Sequence, residues 1–336
     1  MAQDFLDGAT LEGSGTGGND VRKRFEREVA PLRPELHAHC YRMLGSVFDA
    51  DDALQDGLVR AWRAFERFEG RSSIRTWLYT IVTRSCLDAA AARGERALPV
   101  DLGPAASRLV RDSVPHAELR WLTPSPDPAD AAERSERVEL ALIATLQHLS
   151  GNERAAFLLV DVLGFSAVET AEVLAATPTA VHSALSRARR SLAGGAHEKG
   201  AISAPSETTV SLARRFAEAL ASSDLDAFVA LLAPDVTWQM PPLREWYSGI
   251  EAVTRFAHAV PMTLCPSWRT KVLTANGQPA VAFYVGESDD APHHAWSLTV
   301  LTVGDPGITG RQGITGIVSF LDPALFPRFD LPLAVG

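Results

Sequence analysis

Cysteine, aromatic residues and long apolar runs are all scarce in this 336-residue sequence. Its three cysteines, Cys40, Cys86 and Cys265, are too scattered for a zinc site and odd in number for a disulfide set. No run of about 18 apolar residues occurs, which excludes a transmembrane helix. The first twenty residues are polar and rich in glycine, unlike a secretion signal. The sequence therefore predicts a cytoplasmic globular protein.

The net charge of −9 argues against a nucleic-acid partner, but the charges are unevenly distributed. Residues 207–336 carry 8 Lys and Arg against 13 Asp and Glu, a balance of −5, and residues 1–206 carry 24 against 28. Basic residues grouped on single helices matter more for such binding than the whole-chain charge.

Composition divides the chain into six segments. Two helical units are separated by a stretch dense in proline, which favours an extended linker. After a second linker the pattern changes to helices followed by β-branched and aromatic runs. The predicted segments are a disordered tail at 1–20, a helical unit at 21–97, a Pro-rich linker at 98–135, a helical unit at 136–197, a short linker at 198–206 and an α+β unit at 207–336.

The first helical unit contains an amphipathic helix at 50–68, for which Asp49 is a predicted N-cap. A second helix follows, capped by Ser73. Its predicted outward face combines arginines, an aromatic residue and hydroxyls, a mixture that suits phosphate contact and base stacking. A solvated basic face is the alternative. The outward residues are Arg75, Thr76, Tyr79, Thr80, Thr83 and Arg84.

The second helical unit has the layout of a helix-turn-helix. Two capping boxes, at Ser150 and Ser166, open successive helices. Pro178 then begins a helix with polar residues in its N-terminal half and arginines after them. The alternative is an ordinary three-helix bundle with a basic surface.

Together these motifs resemble an extracytoplasmic-function sigma factor, a member of the sigma-70 family. The residues 49–65 (DADDALQDGLVRAWRAF) and 68–79 (FEGRSSIRTWLY) resemble region 2. The residues 149–157 (LSGNERAAF), 164–174 (GFSAVETAEVL) and 183–190 (SALSRARR) resemble region 4. Both motifs occur in the family's order and spacing.

The resemblance implies a role for each matching position. In the family, the region 2 helix docks on the β′ clamp helices of RNA polymerase, which points to Asp52, Gln55, Asp56 and Arg60. The next loop and helix melt the −10 element and hold a flipped base, which points to Glu69, Arg71, Ser72, Arg75, Thr76, Tyr79 and Arg84. The second helix of region 4, a region that also contacts the β flap, recognises the −35 element through Thr179, His182, Ser183, Ser186, Arg187 and Arg190. Common members place Lys and Arg where His182 and Ala184 stand, so the −35 preference is expected to differ.

The third unit resembles the SnoaL-like, ketosteroid-isomerase-like α+β cone, in which a helix pair packs in a curved sheet around an apolar pocket. Candidate lining residues are Trp238, Met240, Trp246, Tyr247, Trp268 and Trp296. Isomerase chemistry needs a carboxylate base and a partner for the enolate oxygen. Asp235, Glu245, His258, His293 and His294 show no spacing typical of such a pair. We therefore predict no catalytic residues, cofactor or metal, and a small apolar ligand as an open possibility.

The Pro-rich linker resembles a Trp-Leu-x-Pro-x-Pro-Asp motif found in sigma factors fused to such a cone. The predicted docking residues are Trp121, Leu122, Pro124 and Asp127, because an isolated Trp is costly to leave exposed. We expect Trp121 and Leu122 to pack on the cone.

The sequence thus predicts two all-α domains followed by an α+β cone. The expected function is promoter-specific initiation with core RNA polymerase, at −35 and −10 elements, modulated in cis by the cone. Two alternatives stay open: a small-molecule enzyme, and a DNA-binding regulator independent of polymerase.

Overall fold

The computed structural model describes residues 16–116, 118–127, 139–193, 206–304 and 313–336. Within these ranges the chain forms two helical units and one α+β unit. None of their helices combines the length and the apolarity that crossing a bilayer requires. The predicted linker at 198–206 lies outside the described residues except for Ser206.

The first helical unit consists of α1 (Thr16–Val29), α2 (Arg33–Leu44), α3 (Val47–Ala64) and α4 (Ile74–Arg93). The helix α1 begins inside the predicted tail. The cap of α3 is Ser46, not Asp49 as predicted, because Ser46 has the extended backbone of an N-cap and accepts the N–H of Asp49. The predicted cap of α4 is confirmed, since the Ser73 hydroxyl accepts the N–H of Thr76.

The second helical unit consists of α5 (Leu140–Gln147), α6 (Gly151–Phe157), α7 (Ala167–Val173) and α8 (Pro178–Ala193). Both predicted capping boxes are present, at Ser150 with Glu153 and at Ser166 with Glu169. A π-helical turn, Leu158–Val162, extends α6.

The third unit is a mixed sheet covered by helices α9 (Glu207–Ala221), α10 (Leu225–Val229), α11 (Ile250–Ala259) and α12 (Pro261–Leu264). Its strands are β1 (Leu232–Gln239), β2 (Trp246–Ser248), β3 (Ser267–Ala275), β4 (Gln278–Gly286), β5 (His293–Val303), β6 (Ile314–Phe320) and β7 (Ala334–Val335). The strand order is β2-β1-β6-β5-β4-β3, with β7 paired to β5. All pairs are antiparallel except β1 with β6.

The β3–β4 hairpin turns at Asn276 and Gly277, whose φ angles are +55° and +70°. A two-residue turn with positive φ at both positions matches the twist of antiparallel strands, and Asn-Gly is its preferred sequence. This turn points toward the helical units and makes several of the contacts between domains described below.

The linker between the helical units leaves the first unit and returns to it, so that its two ends pair with each other. Ala97 bridges to Trp121 in parallel fashion, with the Leu122 N–H donating to the Ala97 carbonyl at 3.1 Å. Between these points the chain makes a 3₁₀ turn, Pro99–Leu102, and then runs across the third unit. It is therefore held at several points along the third unit.

The three units share buried apolar side chains. One cluster includes Leu36 of α2, Leu146 of α5, Leu122 of the linker and Phe320 of β6. At its edge Arg154, only 4% exposed, donates to the Met43 carbonyl at the end of α2 and to the carbonyls of residues 146, 147 and 149. Its remaining N–H donates to Gln147 Oε1 at 2.9 Å. A fully bonded guanidinium thus joins the two helical units, although burial lowers the pKa of Arg154 to about 10.

Candidate nucleic-acid interface

The outer face of α8 is open to solvent. Val181 and Leu185 anchor the opposite face in a small apolar core with Ala156 and Ala171, and Ala188 belongs to the larger cluster shared by the three units. The six residues predicted to contact the −35 element are all exposed: Thr179, His182, Ser183, Ser186, Arg187 and Arg190.

Two ion pairs hold α8 against α6. Arg187 contacts Glu153 at 2.5 Å, and that hydrogen bond lowers the pKa of the Glu153 carboxyl. Arg189 pairs with Asp161 through both oxygens. Arg190 is also exposed. The accessible surface of α8 therefore presents a cation and several hydroxyls.

The outer face of α4 is covered, contrary to the prediction. Tyr79 and Thr83 are fully buried and Thr76 is 8% exposed. The ring of Phe165, in the α6–α7 turn, packs edge-on against Tyr79 at 5.2 Å between centroids, and His39 of α2 packs on it at the same distance. The prediction of an exposed outer face failed because both faces of α4 are packed, one of them by the second helical unit.

Arg75 is held in the same contact. Its guanidinium donates to both oxygens of Glu35 at 3.1 to 3.2 Å, and it lies over the rings of Tyr79 and Phe165 at 5.0 and 5.1 Å. Burial opposes the charge, but the bonds and charge of Glu35 outweigh it and raise the pKa of Arg75. An arginine bound in this way is not presented to a nucleic acid.

The other predicted −10 residues remain accessible. Glu69 and Arg71 are exposed in the loop before α4 and pair with each other at 3.3 Å. Ser72 is half-buried beside them, and Arg84 is exposed on the next part of α4. The predicted −10 surface is therefore divided into an open loop and a covered helix.

The four predicted polymerase-binding residues lie along the exposed side of α3. Asp52 contacts Arg93 at 3.2 Å, Arg60 contacts Asp88 at 2.9 Å, and Gln55 and Asp56 are exposed. Two large apolar side chains on the same helix, Val59 and Trp62, are 40% and 39% exposed. Trp62 packs one side of its ring on Phe25 of α1 and leaves the other side in solvent.

The third unit reaches the first turns of α3. Arg328, in a 3₁₀ segment after β6, pairs with Asp51 and lies over the ring of Phe48 at 5.4 Å. Asp51 also accepts a hydrogen bond from His37. Burial raises the pKa of Asp51, but His37 and Arg328 together outweigh it and the pKa lies below its usual value.

The linker motif contacts both the first unit and the third. Leu122 belongs to the apolar cluster that includes Phe320 of the cone, and it packs on the first unit as well. Leu122 is 1% exposed and lies against Gly45, where an added Cβ would come within 2.5 Å of its Cδ2. Gly45, at φ +66°, ends α2 and leaves the space that Leu122 fills. Trp121 is half-buried, and its Nε1 donates to the His116 carbonyl.

The second half of the motif pairs with the β3–β4 turn. Pro126 bridges to Ala275, the Ser125 N–H donates to Asn276 Oδ1 at 2.9 Å, and Asp127 accepts the Gly277 N–H at 2.6 Å. Pro124 is buried between the two halves.

Tyr41 completes this junction. Its hydroxyl donates to the Thr123 carbonyl at 2.9 Å, and Asn276 Nδ2 donates to that hydroxyl at 2.9 Å. One phenol thus connects α2, the linker and the third unit, and burial raises its pKa far above the usual range.

A cavity of about 450 Å³ lies between the third unit and the linker that joins the helical units. Five of the six predicted residues line it, namely Trp238, Met240, Tyr247, Trp268 and Trp296, together with Phe256 and Phe283. Trp246 does not line the cavity; its Nε1 donates instead to the Gly103 carbonyl of the linker at 2.9 Å. Strand alternation sends Trp246 and Tyr247 to opposite sides, which is why only one of the pair faces inward.

The candidate catalytic groups lie away from the cavity lining. Asp235, His258 and His294 are exposed, and His293 is buried in a hydrogen-bonded pair with Ser267. Cys265 lines the cavity, but burial raises the pKa of its thiol to about 11. Across the described residues no group of three or more His, Cys, Asp or Glu could hold a metal ion.

Several residues that join the domains were not predicted from the sequence. The sequence around Tyr41, Arg154 and Arg328 contains no pattern that indicates these contacts. Only the Asn276-Gly277 pair had a recognisable signal, that of a tight hairpin, and a hairpin signal says nothing about its distant partners.

Comparison with known families agrees with this three-part architecture. Residues 29–96 match Sigma-70 region 2, residues 139–192 match Sigma-70 region 4, and residues 213–325 match the SnoaL-like domain. The helical units are thus sigma regions 2 and 4, and the third unit is a SnoaL-like cone.

Individual proteins match over two thirds or more of the chain. The ECF RNA polymerase sigma factor SigG of Mycobacterium tuberculosis is 39% identical over 338 residues, covering 96% of this chain and 88% of SigG. SigJ of the same species is 30% identical over 68% of this chain and 70% of its own length. The crystal structure of SigJ shares the fold, with a TM-score of 0.58 at 23% identity over 91% of this chain and 99% of that one.

This chain therefore belongs to the extracytoplasmic-function sigma factors of RNA polymerase. It directs transcription initiation, and its partners are RNA polymerase and promoter DNA.

Proposed function

We propose that this sigma factor rests in a closed arrangement, in which region 4 covers the −10 helix and the cone secures both regions. Opening would expose the −10 surface of the loop and α4. The α3 face would then dock on the β′ clamp helices, region 4 would contact the β flap, and α8 would contact the −35 element. Transcription initiation with RNA polymerase takes place in the cytoplasm.

The observation that carries this proposal is the burial of Tyr79 beneath Phe165, with the Arg75 guanidinium lying over both rings. An aromatic ring can stack on an unpaired base only when its face is accessible. Phe165 belongs to region 4, so moving region 4 away from α4 is the simplest change that uncovers the ring.

Three contacts support a modulating role for the cone. Arg328 pairs with Asp51, next to the polymerase-facing Asp52. Asn276 holds Tyr41 of region 2, and the same turn holds the linker at Asp127. Because these bonds join separate domains, they favour the closed arrangement over any open one.

We infer that the cone binds a small apolar molecule and does not act as an enzyme. Among the described residues that line its cavity, Arg111 alone is charged, and no carboxylate or imidazole is among them. Proton abstraction needs a base within hydrogen-bond reach of the substrate, whereas aromatic walls with a few hydroxyls suit binding.

Run-off transcription with core RNA polymerase and a pool of genomic promoters tests the proposal on full-length protein. Deleting the cone is a poor test, because Phe320 and Leu325 belong to the core cluster shared with region 2. Tyr41→Phe is better, since it removes the hydroxyl at the junction and keeps the ring. Losing about 1 kcal/mol of hydrogen bonding should raise the open population, and the transcript yield at limiting sigma factor, roughly fivefold.

Tyr284→Phe is the matched control. Tyr284 is buried in a separate cluster of the cone with Phe326 and Leu331, so its yield should equal that of the wild type. Equal yields from Tyr41→Phe and the wild type would contradict modulation through this junction.

A further inference from the structure

The linker between regions 2 and 4 forms one wall of the cone's cavity. Four of its residues line the cavity: Val110, Arg111, Ser113 and Pro115. We call residues 103–116 the strap. Both ends of this part of the linker lie at region 2, because Ala97 bridges to Trp121 and the half-buried Arg96 donates to the Trp121 carbonyl at 2.6 Å.

Four groups of hydrogen bonds hold the strap on the cone. The Trp246 Nε1 donates to Gly103, and the Ala106 N–H donates to the Trp246 carbonyl at 2.8 Å. The Tyr247 hydroxyl lies 3.2 Å from the Val110 N–H and 3.4 Å from its carbonyl. The His116 N–H donates to the Pro242 carbonyl at 3.1 Å. Each contact lies on the β1–β2 side of the cone, at the edge of the cavity.

Apart from the exposed Arg111, the lining of the cavity favours an uncharged ligand. Its walls are aromatic and aliphatic, and its polar groups include the hydroxyls of Ser297, Thr299 and Ser319. Thr299 and Ser319 lie 2.9 Å apart, and Trp238 Nε1 donates to Ser319 at 3.0 Å. Burying a charge without a partner there would be costly. A flat apolar molecule with a hydroxyl or carbonyl group fits these walls.

We propose that such a molecule binds beneath the strap and holds the sigma factor closed. The inference rests on the closed resting arrangement proposed above. With the strap in place the cavity still has about 450 Å³ of space, so a small ligand enters without displacing it. The ligand contacts the strap only in this arrangement, and a ligand stabilises the state in which it makes more contacts. By reciprocity, opening on polymerase weakens ligand binding.

Trypsin cleavage measures whether the strap is docked on the cone or detached from it. Arg108 and Arg111 are exposed on it, yet a protease needs the surrounding segment to leave the cone before it cleaves. Cleavage there follows the population of the detached strap. N-phenyl-1-naphthylamine, an uncharged aromatic fluorophore, serves as the cavity probe on the full-length protein.

At a probe concentration ten times its Kd, cleavage after Arg108 and Arg111 should slow roughly tenfold. Run-off transcription should fall over the same concentration range. Tyr247→Phe, which removes the hydroxyl that holds Val110, should speed cleavage without probe, and Tyr284→Phe should leave it unchanged.

Saturable probe binding with unchanged or faster strap cleavage would overturn the proposal, and so would the absence of saturable binding. The wild-type measurement needs no substitution, so misfolding of a variant does not obscure it. Transcription without probe, and its response to Tyr41→Phe, test the closed arrangement separately. Either proposal can therefore fail while the other stands.

Discussion

The helices α4 and α8 carry similar side chains but have opposite environments. On α8 the arginines and hydroxyls of one face are all exposed, whereas on α4 Tyr79 and Thr83 are fully buried and Arg75 is bound to Glu35. The difference comes from what packs on each helix: α8 packs mainly on α6 and α7 of its own unit, whereas α4 packs on α2 and α3 of its own unit and also on α6 and α7 of the other. The predicted −35 surface is thus accessible in this structure, whereas much of the predicted −10 surface on α4 is covered.

Removing Arg154, which joins the two helical units, should have the largest effect on the packing that covers α4. Arg154→Ala leaves the carbonyls of Met43, Leu146 and Leu149 without their buried donor and should lower the free energy of unfolding by about 4 kcal/mol. Urea unfolding measures this. Arg154→Lys, which cannot bond all five acceptors, should recover only part of the loss; full recovery would show that charge alone is needed.

Phe165→Ala should uncover α4 directly. Loss of a 5%-exposed ring should lower the free energy of unfolding by about 3 kcal/mol, while the transcript yield per folded molecule rises. Phe228→Ala in the cone core is the control, because it removes a fully buried ring that does not contact α4. A yield that rises equally in both variants would mean that general destabilisation, not exposure of α4, is responsible.

Acid should weaken the packing of α4 through His39. Burial, with smaller contributions from Arg42 and Arg75, lowers the pKa of His39 to about 3, so folding requires the neutral imidazole. Its contribution is complete above pH 6.5 and falls by up to about 1.4 kcal/mol per pH unit as the pH drops from 6.5 toward 3. Between pH 7 and 5 the wild type should lose about 2 kcal/mol more than His39→Gln, measured by urea unfolding.

His258→Gln provides the comparison for that experiment. His258 is exposed on α11, so this variant should follow the pH dependence of the wild type. If His39→Gln does the same, protonation of His39 does not destabilise the fold.

Substitution on α8 should have the smallest effect on stability. Arg190→Ala changes an exposed side chain, and the free energy of unfolding should change by less than about 0.5 kcal/mol. Promoter-dependent transcription should nevertheless fall roughly tenfold through loss of a phosphate contact. Arg189→Ala, whose side chain pairs with Asp161, should reduce transcription less. Equal losses would place the DNA contact elsewhere on α8.

The structure revises the proposed role of the linker motif. Leu122 occupies space left by Gly45 in region 2, and Asp127 binds the β3–β4 turn of the cone. A motif that connects two domains in this way restrains both, which explains why it combines an apolar half with a polar half.

The sequence alone determined the local structure and the family. Capping boxes at Ser150 and Ser166, the Pro178 start of α8 and the Asn276-Gly277 hairpin each depend on residues within a few positions of one another, so their patterns are visible in one dimension. The tertiary structure decided which polar faces are accessible. Burial of Tyr79 beneath Phe165, of Tyr41 against Asn276 and of the cavity beneath the strap joins residues separated by 86 to 235 positions or by whole domains. No local periodicity encodes such contacts, because the partner that covers a face contributes nothing to the pattern of that face.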